Sequence, residues 1–323
     1  MTPKYRILAD DNDITAAIAD RLLSLTITDE SGGQTDTVTI EIDNRDKQVA
    51  FPRKGVLLDV DLGYAESGLV SMGRYTVDEI EVGGPPDKLV IRAHAADMGA
   101  GLKERRTRSW DQVTLGDLVT TIASEQGLTP KTGTDLAGVQ IAHIDQTDES
   151  DMNLLTRLGK QYGAVAKVAQ GFLIFAPRGQ AKSVSGKQIP AVFITENQMS
   201  SYRFTFADRG KYKAVIAHWH NTATGERVPV TAGSGKPVDT VPGNKPDAAT
   251  AYAAAAARLA ALQRGEGSGS ITLPGDPRLA AEGAVTLSSF MDGVNGAWVA
   301  QRVTHALSGG YTTTVSLETK IEK

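Results

Sequence analysis

Apolar and polar residues alternate through the first hundred positions of the chain. In TDTVTIEID, Val38, Ile40 and Ile42 fall on one face and Thr37, Thr39 and Glu41 on the other, the period of a half-buried antiparallel strand. YRILAD, LLSLTITD, VLLDVDLGY, GRYTVDEIEVGG and DKLVIRAHA also alternate or are β-branched, with Gly, Asp and Pro between them. Six such strands with short turns predict a small barrel or sandwich.

The period then lengthens. In WDQVTLGDLVTTIASEQGLTP, Leu115, Leu118, Val119 and Ile122 recur at helical spacing, Thr114 and Asp117 read as a capping box, and Gly127 and Pro130 supply the stop. A second helix follows in DQTDESDMNLLTRLGKQYG, with Leu154, Leu155, Leu158 and Tyr162 on its buried face, Asn153, Arg157 and Lys160 outside, and Tyr162-Gly163 at its end. AVAKV, AQG and FLIFAP read as a hairpin. Residues 101–185 are thus an α+β insertion between a first β domain, 1–100, and a second, 186–323.

Strand patterns return in SSYRFTF, YKAVIAHWH and ERVPVTA. Residues 233–246, rich in Gly and Pro, read as a mobile surface loop that orders on binding a partner. Residues 247–264 form an alanine-dominated helix capped by Asp247 and stopped by Gly265, with a side-chain layer thin enough for close packing on a sheet. LSGG joins the last hairpin, Trp298–Leu307 to Tyr311–Ile321. The similar size of the two β parts suggests an internal duplication.

Composition narrows the chemistry. The chain has 323 residues, room for two or more cores, and no cysteine, which removes disulfides, thiolate metal sites and cysteine nucleophiles. No apolar run is long enough to span a membrane as a helix, and MTPKYRILADD lacks the pattern of a secretory signal. A formal net charge of −4 with both signs interspersed argues against a dedicated nucleic-acid binder, though not against a wall past which DNA slides.

Asp145, Asp148, Glu149 and Asp151 form the densest candidate site. A glycosidase needs two carboxylates across a sugar-binding cleft, and Asp148 and Glu149 are the pair to test. Acids at a helix start have a local explanation, since they accept from free backbone N–H groups, and Thr147, Asp148 or Ser150 reads as the N-cap. ADDNDIT lacks the ligand spacing of a calcium loop and reads as a polar turn between strand and helix. His218 and His220 share a strand face that could grip a metal, but no third ligand lies near, and His94, His143 and His305 are scattered. RRTR, Arg105–Arg108, reads as a solvated turn or a subunit salt bridge. TLGDLVTTIASEQGLT is faintly similar to a peptidoglycan-binding repeat. No nucleotide-binding or hydrolase motif appears, and no cofactor or metal is expected.

DESDMNLLTRLGKQYGAVAKVAQGFLIFAP resembles the signature segment of phage tail hub proteins of the late control gene D family, relatives of the base of the type VI secretion valine-glycine repeat tip protein. The resemblance is carried by Glu149, Ser150, Asp151, Leu154, Leu155, Leu158, Tyr162, Gly163, Gly171, Leu173 and Phe175. The early strand pair, the helix opening the insertion, and a closing module with Pro277, Gly283, Trp298, Val303, His305, Gly310, Tyr311 and Thr313 agree in order. The resemblance implies a mainly β fold with an α+β insertion. Each subunit would hold two tube-like antiparallel β-barrels, and a homotrimer would make a pseudo-sixfold ring. It further implies a non-enzymatic baseplate hub of a contractile phage tail or tail-like bacteriocin, joining a hexameric tail tube to a separate trimeric spike and forming a channel for ejection. The hub would also meet other baseplate proteins, and DNA would pass its lumen without specific binding. The expected location is the virion tail, after assembly in the host cytoplasm and without a membrane. Val38, Ile40, Ile42, Trp298 and His305 are the candidate subunit-interface residues.

Overall fold

The computed structural model describes residues 1–32, 35–95, 100–169, 171–181, 185, 187, 189–207 and 212–320. The first β region contains β1 (Pro3–Ala9), β2 (Asn12–Asp13), β3 (Leu22–Glu30), β4 (Thr37–Asp43), β5 (Leu57–Tyr64), β6 (Gly68–Gly83) and β7 (Lys88–Ala95), with one helical turn, α1 (Thr15–Ile18). All six predicted strands are present. ADDNDIT is the polar turn expected: Asp13 accepts from the Thr15 N–H at 2.8 Å and Asp10 from the Leu57 N–H at 3.0 Å. In β4 the alternation is realised fully, with Val38, Ile40 and Ile42 buried and the residues between them half-exposed.

The insertion runs α2 (Ala100–Lys103), β8 (Arg105–Thr114), α3 (Leu115–Glu125), β9 (Thr129–Thr132), α4 (Thr134–Ala137), β10 (Gln140–Ser150), α5 (Asp151–Tyr162), β11 (Ala164–Ala169) and β12 (Phe172–Pro177). Thr114 and Asp117 form the predicted capping box on α3. Leu115, Leu118, Val119 and Ile122 meet Leu154, Leu155, Leu158, Leu173 and Phe175 in one core. Each fully buried leucine there contributes about 2 kcal/mol of transfer free energy. β11 and β12 form the expected antiparallel hairpin, and β9 adds to β12 in parallel. Gln170 of that hairpin and Ile321 of the last strand lie outside the described residues.

The last region contains β13 (Val192–Thr195), β14 (Ser201–Phe206), β15 (Ala214–Asn221), β16 (Glu226–Gly233), β17 (Val238–Lys245), α6 (Ala248–Arg264), β18 (Gly267–Pro274), β19 (Ala284–Ser288), β20 (Gly296–Leu307) and β21 (Tyr311–Thr319). One expectation fails. The 233–246 segment is not a loop: β16 runs to Gly233, and β17 pairs in parallel with β15 from Ala214↔Val238 onward. Gly233 and Gly235, at φ 78° and 98°, make the connection. Pro229 and Pro242 are tolerated because β16 and β17 are the two edges of this three-stranded sheet.

The remaining strands of the chain's two ends join one 13-stranded sheet, ordered β14-β18-β21-β20-β3-β4-β7-β6-β5-β1-β2, with β19 branching from β20 and carrying β13. The seam is the antiparallel pair β3–β20, from Leu307↔Leu25 to Arg302↔Glu30. The two β parts are therefore continuous by hydrogen bonding, while β15, β16 and β17 stand apart under α6, whose Ala251 and Ala255 pack on Val215, Ala217 and Ala232. The thin alanine layer permits this approach. Among the described residues no helix is long and apolar enough to cross a membrane.

Candidate functional site

Only the end of the acidic stretch starts a helix. β10 extends to Ser150, so Asp145, Asp148 and Glu149 are strand residues and only Asp151 lies in the first turn of α5. Ser150 is the N-cap, accepting from the Asn153 N–H at 3.3 Å; Thr147 and Asp148 are not. A bulge between Gln146 and Glu149 breaks the β8–β10 register, with Asp148 at φ 48°.

The acids are met from β8 and α5. Arg105 pairs with Asp148 at 2.8 Å, and Arg157 grips Glu149 through Nε at 3.0 Å and a terminal nitrogen at 2.6 Å. The RRTR run is a strand, not a turn, and its pairs are within one subunit. Alternation puts Arg106 and Arg108 on one face, where both reach Glu125 of α3, at 2.6 and 2.8 Å. Arg108 also donates to the wholly buried Asp151 at 2.7 Å, an oxygen that accepts from Gln146 Nε2 as well, and stacks 4.3 Å over the Trp110 ring. Asp145 accepts from Ser109 at 2.7 Å, and this hydroxyl, with His143, holds its carboxyl below the usual range. His143 is raised by Asp111 first and Asp145 second.

Each of the four acids therefore has a donor within the chain, most of them guanidinium groups. That arrangement ties β8, β10, α3 and α5 together and presents no pair of unengaged carboxylates facing across a cleft. Sequence neighbours alone suggest a helix start and do not name these partners. The period-2 placement of Arg106 and Arg108 was the available signal.

The signature residues are brought together. Leu154, Leu155, Leu158, Leu173 and Phe175 are core, and Tyr162 packs half-buried at its rim. Gly163 caps α5 at φ 66°, and a side chain there would press on Ala257 of α6 at 3.4 Å. Gly171, at φ 77°, turns the β11–β12 hairpin.

Val38, Ile40, Ile42, Trp298 and His305 are all at least 96% buried within this one chain. Trp298 donates to the Val294 carbonyl at 2.9 Å and lies 5.2 Å from the Phe204 ring. The period-2 pattern identified a buried face correctly; the core of the same subunit occupies it. Apolar side chains that do face solvent include Phe193, Tyr202, Phe206 and Met291, two of them on β14.

His218 faces Arg227 at 3.1 Å, His220 is exposed, and among the described residues no three His, Asp or Glu side chains are grouped to hold a metal.

Comparison with known proteins agrees with the fold. The sequence profile of the family described as "Phage tail baseplate hub (GPD)" matches residues 33–311. The "Probable baseplate hub protein" of Escherichia phage 186 is 36% identical over 99% of this chain and 94% of its own length. Its namesake from Escherichia phage P2 is 43% identical over 69% of this chain and 57% of its own length. Among solved structures, the 43 kDa tail protein of prophage MuSo2 from Shewanella oneidensis superposes with a TM-score of 0.71 at 14% identity, covering 99% of this chain and 97% of that one. An Escherichia coli component of the type VI secretion system superposes with a TM-score of 0.58 at 11% identity, covering 100% of this chain and 78% of that one. A profile match across most of the chain, with a relative aligned almost end to end, places this protein in the phage tail baseplate hub family.

Proposed function

We propose that this baseplate hub works by subunit contact rather than catalysis, as a homotrimeric adaptor between a hexameric tail tube and a trimeric spike. Its ring encloses a channel for ejected DNA. The observation that carries the reading is the family match over residues 33–311. The sheet supports it. β14 ends the 13-stranded sheet, its outer edge pairs with no described strand, and it carries the exposed Tyr202 and Phe206. Such an edge aggregates unless another chain covers it.

The same reading divides the chain into 1–100, 101–185 and 186–323, and closes the β parts into tube-like barrels within the assembled ring. Separate apolar cores in the first β region, the insertion and the last region favour that division. The signature residues from Glu149 to Phe175 serve as scaffold for the insertion. Assembly takes place in the host cytoplasm, and the finished protein sits in the tail baseplate. A formal net charge of −4 suits a lumen that DNA passes without counterion-release binding.

Light scattering of the full chain, alone and mixed with its tube and spike proteins, tests the proposal. A trimer is expected, with threefold or pseudo-sixfold averages by electron microscopy. A monomer under every condition overturns it. Peptidoglycan zymography of wild type against Asp148→Asn and Glu149→Gln is expected to show no clearing in any lane; clearing lost in the variants overturns the non-enzymatic reading.

A further inference from the structure

Where the insertion rejoins the large sheet, polar groups are buried without being satisfied. Among the described residues six buried side-chain polar atoms lack a hydrogen-bond partner. Four of them are Arg178 Nε and Gln180 Oε1, just after β12, and Glu282 Oε1 and Glu318 Oε1. Buried unsatisfied atoms are rare in folded proteins, and this concentration marks one place rather than general looseness.

The backbone is strained at the same place. Glu282 and Ala181 hold φ values of 61° and 50°, in the left-handed region that favours glycine. Gly179 sits at φ 71°, and a Cβ there would fall 2.6 Å from Arg264 Cδ, so the segment presses directly on the end of α6. One contact fixes the segment to the loop before β19: the Gly179 N–H donates to Glu282 Oε2 at 2.8 Å.

The charged groups acting on Glu282 come from three elements. They are Arg178 from the segment after β12, Arg264 from α6, and Glu318 from β21. Arg264 Nε lies 3.4 Å from Glu318, and Arg178 lies 3.8 Å from it, beyond hydrogen-bond reach. Two guanidinium groups thus face the Glu318 carboxylate at ion-pair distance, while Glu318 Oε1, Glu282 Oε1 and Arg178 Nε all lack a hydrogen bond.

We propose that this joint is a proton-controlled latch: when Glu282 releases its proton to solvent, Arg178 moves from Glu318 to Glu282 and re-anchors the segment after β12 on the loop before β19. In the protonated state Glu318 shares both arginines. In the ionised state the two acids and two arginines pair one to one, which satisfies Arg178 Nε and Glu282 Oε1 together. Burial pushes the Glu282 carboxyl up to about 7, against the opposing pull of the Gly179 N–H, so both states are populated near neutral pH. The latch sets how firmly the insertion holds to the sheet.

Amide hydrogen exchange of the full chain between roughly pH 5.5 and 8.5, corrected for the intrinsic rate, tests the latch in the segment containing Gly179. Protection of the Gly179 amide, whose local opening leaves Glu282 buried, is expected to change about tenfold in one step centred near 7, more protected at the higher pH because a carboxylate accepts more strongly than a carboxyl, while global stability moves the other way. The side-chain carboxyl signal of Glu282 should titrate with the same midpoint, a readout that needs no variant. Glu282→Gln, nearly isosteric, is expected to abolish the step, and Glu318→Gln to lower its midpoint by removing a like charge. No step in the wild type, or a step unchanged in Glu282→Gln, overturns the proposal.

Discussion

His305 shows how neighbours decide a side chain's state. Its Nε2 faces the Leu279 carbonyl at 3.1 Å, which can only accept, so that nitrogen carries the proton. Nδ1 then accepts from the Tyr311 hydroxyl at 2.9 Å. The ring is neutral, and burial holds its pKa below the ordinary value. In the unfolded chain the imidazole takes a proton as pH falls through about 6.5, and the native ring does not. Its contribution to stability is therefore present above that pH and is lost progressively below it. Glu282 has the opposite sign: its raised native value favours the fold at low pH, and that contribution falls away as pH rises from the ordinary carboxyl range to about 7. Urea midpoints at about pH 7.5 and 5.5, measured in a Glu282→Gln background to isolate the histidine, should fall on acidification. Adding His305→Gln is expected to lower the midpoint at the higher pH and to flatten the difference between the two. An undiminished difference would show that another group governs it.

At the scale of elements, the period of apolar residues located both long insertion helices and most strands, alanine content located the third long helix, and capping logic held at Thr114 and Asp247 and left three candidates open before α5, of which Ser150 is the cap formed. Thr114 and Asp117 bond reciprocally as their spacing indicates, Thr114 Oγ accepting from the Asp117 N–H at 3.0 Å. Thr114→Ala is expected to cost about 1 kcal/mol of stability, read as a shift in chemical unfolding midpoint at constant m-value. Before α5 the same reasoning could not choose between Thr147, Asp148 and Ser150, because residues suited to a first turn also suit a strand whose opposite strand is basic. β8 supplies that strand, and its arginines are thirty or more positions away in sequence. β17 was hidden for a related reason. Its glycines and prolines signal a loop, yet an edge strand tolerates them, and only pairing with β15 reveals it.

At the scale of the molecule, Lys167 shows how the parts are fastened. It leaves β11 of the insertion and reaches Asp29 at 2.5 Å, Asp36 at 2.9 Å and the Glu30 carbonyl at 2.9 Å on the large sheet. Burial lowers its pKa and the two aspartates more than restore it, while burial leaves Asp36 raised. Lys167→Met would leave two carboxylates facing each other without their cation. A loss of about 3 kcal/mol is expected, together with faster proteolysis between the insertion and the sheet. An unchanged midpoint and cleavage rate would show that the other contacts, the joint at Glu282 among them, hold the insertion to the sheet unaided.

The sequence by itself determined the mainly β class, the helices α3 and α5 with their buried faces, and, through ordered motifs, the hub family. These are properties of local period and residue type, which need no distant partner to be legible. The tertiary structure alone decided that the two β parts share one sheet, that Val38 and Trp298 serve their own subunit's core, and that the four acids are held by donors from β8 and α5. A strand's alternation specifies a buried face without naming what buries it, and a charge specifies the sign of its partner without naming the residue. Both partners are chosen only when segments far apart in the chain come together.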